Sequence, residues 1–101
     1  MYRPLPPYLT IKSSSVDGLG LFATEPIKKS QNLGISHISD IFMQNGYIRT
    51  PLGGFINHSS TPNCKKIKEG RYLYIITITD IKENIELTVK YTLYDPSSPR
   101  V

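Results

Sequence analysis

Asn57, His58 and Ser59 stand side by side after an apolar pair, Phe55 and Ile56, in a stretch that begins with Gly53-Gly54 and closes on Pro62-Asn63-Cys64. A structural turn needs glycine, proline or asparagine. It does not need an amide, an imidazole and a hydroxyl in succession. Glycines let backbone approach a ligand closely, so residues 53–64 read as a strand that leaves the core and sets polar groups against a ligand. Other chemistries fit less well. Cys64 and His58 lie six residues apart with no orienting third group, which is no recognised nucleophile signature. The two histidines, His37 and His58, make a weak metal pair. A single cysteine excludes an internal disulfide and any multi-cysteine zinc site. The Asn57-His58-Ser59 sequon carries weight only in a secreted chain.

A second glycine pair follows Asp17, in Gly18-Leu19-Gly20. It opens like a dinucleotide fingerprint, but the third glycine is missing and the β-like run Leu21-Phe22-Ala23 follows in place of a helix. No Gly-Lys-Ser/Thr is present, so a P-loop is excluded. Two readings stay open: a hairpin turn, or a turn whose backbone amides and carbonyls grip a polar small molecule. Tyr91, at the end of Glu86-Leu87-Thr88-Val89-Lys90-Tyr91, reads by itself as a strand-end aromatic on the core. Lys65, Lys66, Lys68 and Arg71 read as a solvated strand edge, or as a patch for an acidic protein or nucleic acid.

The elements that must position these groups are short strands. At 101 residues the chain is one domain by length. With 39% hydrophobic and 20% charged residues it is globular rather than disordered. No apolar run approaches the ~20 residues of a membrane helix, and no signal-peptide core opens the chain, so a soluble intracellular protein without a membrane partner is expected. Strands are expected at 8–12, 32–36, 47–50, 71–79 and 85–91. In 71–79, Tyr72, Tyr74, Ile76 and Ile78 share one face and Leu73 and Ile75 the other, which predicts burial on both sides. Ile38, Ile41 and Phe42 are spaced i, i+3, i+4, which predicts one or two helical turns within 37–44. Residues 1–7 form a proline-broken arm and 96–101 a tail.

Taken together and in order, Gly18-Leu19-Gly20, the run from Phe55 to Ser59 with Pro62-Asn63-Cys64, and the run from Glu86 to Tyr91 resemble the motifs of SET-domain protein lysine methyltransferases. The likeness spans about residues 8–95 of a single domain covering 1–101. It implies a mostly β, SET-like β-clip fold of several small sheets with little helix, whose C-terminal segment threads beneath a loop as a pseudoknot. It implies S-adenosylmethionine as the cofactor, its methionine end held by the backbone of Asp17, Gly18, Leu19 and Gly20. Asn57 and His58 would bond the cofactor's polar groups. Tyr91 would be the catalytic tyrosine, Tyr47 and Tyr94 would line a lysine channel, and no metal is implied. The implied reaction is methyl transfer to a lysine amine of a protein substrate, a histone or another basic protein.

The chain departs from the family pattern at Gly54, Ile85 and Lys90, and it lacks cysteine-rich flanks. The segment between Gly34 and Pro51 is short for an insert that shapes a substrate groove. One channel wall must then come from the residues after Tyr94, from the substrate, or from a second subunit in a homodimer. Two alternatives remain: a SET-like module that binds peptide or cofactor without turnover, and a small basic β-domain that binds nucleic acid through the lysine cluster and the tyrosines.

Overall fold

The computed structural model describes residues 5–39 and 46–90. Eight strands and one short helix follow in order: β1 (Leu9–Ser13), β2 (Leu19–Ala23), β3 (Asn32–Ser39), β4 (Tyr47–Arg49), α1 (Pro51–Phe55), β5 (Asn57–His58), β6 (Cys64–Glu69), β7 (Tyr72–Thr77) and β8 (Glu86–Val89). They make two four-stranded sheets, ordered β1-β2-β8-β5 and β4-β3-β7-β6. Among the described residues no helix is long and apolar enough to cross a membrane.

The first sheet is assembled from both ends of the chain. β1 and β2 form an antiparallel hairpin running from Leu9↔Ala23 to Ser13↔Leu19. β8 then adds antiparallel to β2 at Leu21↔Leu87, and β5 lies parallel to β8 at Asn57↔Thr88 and His58↔Val89. Parallel neighbours need a long crossover, supplied here by the β6–β7 hairpin of the other sheet. Between the sheets lies the core. Leu21, Leu87 and Val89 from the first sheet meet Cys64 and Ile75 from the second, with Leu52 and Ile56 from α1 and its end, each 2% exposed or less.

Successive residues of a strand direct their peptide groups to opposite edges. Val89 O accepts from Ser59 N at 2.9 Å. On the alternate residues, the Asn63 carboxamide donates to Glu86 O and accepts from Thr88 N, each at 2.9 Å. The loop 57–64 thus grips β8 along both edges, as the expected pseudoknot requires.

Three expectations are corrected. β7 is buried on one face, not two: Leu73, Ile75 and Thr77 are at most 1% exposed, whereas Tyr72 is 37% exposed. The sheet is antiparallel, and its other face carries the cross-strand row Ile48, Ile38, Tyr72 away from the core. The helical turn expected from residue 37 is instead the end of β3, where His37, Ile38 and Ser39 pair with β4. Register shifts along β3 turn both Ser36 and His37 inward, which breaks the strand's period of two. Ile41 and Phe42 lie outside the described residues.

The third correction concerns the glycine-led stretch, which opens as a helical turn. Thr50 precedes a proline and is therefore extended, with φ −86° and ψ 169°. Its hydroxyl accepts from Gly53 N at 3.4 Å as the N-cap, and Pro51 takes the position where its missing N–H costs nothing. Gly53 and Gly54 are poor helix formers. Packing of Leu52 and Ile56 into the core, rather than propensity, holds the turn.

Candidate functional site

The turn between β1 and β2 closes on itself through Ser14 N to Gly18 O at 2.8 Å, with Gly18 at φ +47°. Ser14 Oγ accepts from Val16 N at 2.9 Å inside the same turn. From β5, the Asn57 carboxamide reaches across and donates to Asp17 O and Leu19 O, both at 3.1 Å. It also donates to Glu86 Oε2 at 2.9 Å. The other face of that carboxylate takes the Ser14 hydroxyl, at 2.7 Å to Oε1 and 2.9 Å to Oε2. Segments from near the start, the middle and near the end of the chain are joined at one place.

Most of the expected cofactor residues are therefore neighbours. Asp17 and Leu19 bond Asn57 directly, and Gly18 and Gly20 lie between and beside them. His58 follows Asn57 on β5 and is exposed. Asn57 differs in one respect from the expectation that its side chain bonds a ligand. Its two amide hydrogens already face three protein oxygens, so it acts on the turn first. That same geometry assigns the amide nitrogen and leaves Oδ1 as the acceptor.

Tyr47 sits elsewhere. It belongs to the other sheet, edge-on to the His37 ring with centroids 6.0 Å apart. Tyr91 and Tyr94 lie outside the described residues. Two partners in the site were invisible as such in the sequence: Ser14, which belongs to none of the motifs, and Glu86, read only as part of a motif. The one hint was a charged side chain at Glu86 between apolar Ile85 and Leu87. Asn63, the clamp on β8, was likewise named without a role.

A second polar cluster lies under α1. His37 is 5% exposed, its Nδ1 2.9 Å from Ser36 Oγ. Burial first, then the charges of Lys66 and Arg49, lower its pKa from 6.5 to about 4. Lys66, expected on a solvated edge, is 9% exposed, and desolvation with the Arg49 charge lowers its pKa too. Alternation along β6 explains the correction: Lys65 faces out and Lys66 in, so the basic run is divided between two faces. Burial pushes the Cys64 thiol up to about 12, which removes any thiolate chemistry at neutral pH.

The family profile of the SET domain matches residues 36–92. Among solved structures, a proposed histone methyltransferase of Plasmodium falciparum is similar at TM-score 0.64 and 23% identity, covering 83% of this chain and 92% of that one. The methyltransferase domain of human PR domain-containing protein 2 is similar at TM-score 0.70 and 20% identity, covering 96% and 84%. The SET domain of the RIZ1 tumour suppressor is similar at 0.68 and 20%, covering 97% and 76%. No curated protein sequence matches. The profile covers more than half of the chain, and the gripped β8 strand and small sheets agree with it, so this chain belongs to the SET domain family.

Proposed function

We propose that the chain is an S-adenosylmethionine-dependent protein-lysine N-methyltransferase. The observation that carries this reading is the junction of Asn57 and Glu86 with the 14–20 turn, which brings the two distant motifs to one place. The residues suit the cofactor. A Cβ at Gly18 would meet no atom within 4 Å, so the outer side of the turn is open. Asn57 Oδ1 is an acceptor, and the Glu86 carboxylate beside it is an anion, a pairing that suits a ligand carrying an ammonium and a sulfonium. Asp17, Gly18, Leu19 and Gly20 would hold the methionine end through their backbone, with Asn57 and His58 beside it.

The bound cofactor would supply an electrophilic methyl group on sulfur. The chain's task is then to deliver a neutral amine in line with it. A lysine amine has a pKa near 10.4, so about one in 2,500 is neutral at pH 7. An apolar, aromatic channel disfavours the ammonium by desolvation, so a strong general base is not required. Alignment of nitrogen, carbon and sulfur is the remaining contribution. Tyr91 is the proposed catalytic tyrosine, whose hydroxyl oxygen would face the partly positive methyl of a bound cofactor. Tyr94 and Tyr47 are proposed for the channel; Tyr47's place against His37 puts it on the second sheet. The substrate is a lysine-bearing protein, and similarity to histone methyltransferases makes histones the first to try.

The test is incubation with methyl-labelled S-adenosylmethionine and basic protein substrates, beside calorimetric binding of S-adenosylhomocysteine. Labelled lysine is the expected product. Tyr91→Phe should keep cofactor affinity and lose at least about tenfold in transfer rate, the scale of one removed transition-state contact. Absence of both binding and transfer in the unaltered protein would sink the reading.

A further inference from the structure

We propose that Glu86 is the positioning residue of the 14–20 turn: one carboxylate, shared by the Ser14 hydroxyl and the Asn57 carboxamide, holds the turn in its ligand-binding shape. The inference rests on the cofactor reading above and assigns a role that reading leaves open. Ser14 is 72 residues from Glu86 in sequence, and Asn57 is 29. The β2–β8 ladder pairs Leu21 with Leu87 and Phe22 with Glu86, and side chains carry the junction from there onto the turn. The Ser14 hydroxyl donates to Glu86 and accepts from Val16 N, so its direction is set from both sides. Asn57 is oriented by Glu86 on one side and by Asp17 O and Leu19 O on the other. Remove the carboxylate and both side chains lose the acceptor that aims them.

Gly20 gives an independent mark of the same contact. A Cβ there would overlap the Glu86 carboxylate and lie 3.1 Å from Asn57 Nδ2. The strand has thus been pared to backbone where the carboxylate crosses it. Among the described residues the donors to Glu86 are neutral, so its charge is not cancelled by an ion pair. That leaves an anion beside the turn, suited to a cationic ligand. A residue that merely stiffened the β-sheet would change stability and ligand affinity together. A positioning residue separates them.

The experiment measures calorimetric affinity for S-adenosylhomocysteine and the melting temperature on the full chain. Glu86→Ala should weaken binding by about 10- to 100-fold, the scale of hydrogen bonds to a charged group. Glu86→Gln should recover part of that loss, because its carbonyl can accept from Asn57 while its amide donates to Ser14, although the charge is gone. Gly20→Ala combined with Glu86→Ala should regain the melting temperature that Gly20→Ala alone loses, yet stay weak in binding. If Glu86→Ala does not fold, Ser14→Ala carries the test, with a loss of about tenfold expected. Unchanged affinity in the altered chains, with the unaltered protein binding normally, overturns the inference and leaves the methyltransferase reading intact. Failure of the unaltered protein to bind overturns that reading, and the inference with it.

Discussion

Gly20 and Gly53 both lie where a side chain would collide with a polar group, and their surroundings are opposite in kind. At Gly20 the obstacle is the end of a flexible side chain, Glu86. At Gly53 it is backbone, the Ser36 carbonyl, and an added Cβ would also lie 3.0 Å from the His37 ring. That carbonyl also accepts from Thr50 N at 2.9 Å and from the Thr50 hydroxyl at 3.2 Å, so it cannot swing aside. The first neighbourhood matches an anion with neutral donors. The second gathers His37, Lys66 and Arg49, where burial first and like charge second push the imidazole and the Lys66 amine toward their neutral forms. The contrast separates a junction made by a movable side chain from a rigid support that holds the helical turn before the Asn57-His58 motif.

The largest test of this contrast is Gly53→Ala. Alanine is favoured over glycine in a helix by about 1 kcal/mol, but overpacking against fixed backbone costs up to about 3 kcal/mol. The second effect should win, and urea unfolding should show a net loss of about 2 kcal/mol. A stabilised variant would mean that the Ser36 carbonyl moves freely.

Acid comes next. The folded value for His37 is lowered to about 4, so as pH falls below 6.5 the unfolded chain takes up the proton first. The stability is complete above pH 6.5 and is lost on the way down toward 4, by at most about 1.4 kcal/mol per unit. Urea midpoints at pH 7 and pH 5 should differ more for the unaltered protein than for His37→Asn. Equal differences would remove His37 as the cause.

Gly20→Ala should cost less, about 1 kcal/mol, because the Glu86 side chain can retreat. A loss matching that of Gly53→Ala would erase the distinction between the two sites. The smallest effect is electrostatic. Lys66→Met removes one of the charges acting on His37, so the imidazole pKa, followed by NMR titration, should climb part of the way back toward 6.5. Burial remains the larger cause, so it should not return fully. No movement at all would place the Lys66 ammonium too far away to act.

Much of the β architecture is legible before folding. β1, β2, β7 and β8 each coincide with apolar runs between polar turns, because strand and turn signals act over a few residues. The order of three motifs also placed the chain in its family, since residue types at set spacings survive as text. Beyond that reach the signals fail for identifiable reasons. Register shifts in β3 turned Ser36 and His37 the same way and hid the strand's period of two. Gly53 and Gly54 read as the start of a strand, whereas burial of Leu52 and Ile56 on either side of them makes a helical turn.

By itself the sequence determined a small β domain of SET type with a polar motif at Asn57-His58. Tertiary structure alone decided which groups that motif serves: Asn57 turns to Asp17, Leu19 and Glu86, and Ser14 meets a carboxylate 72 residues away. The reason is physical. Local patterns record which face of a strand is apolar, whereas a hydrogen bond between remote side chains depends on how the chain closes and leaves no period to read.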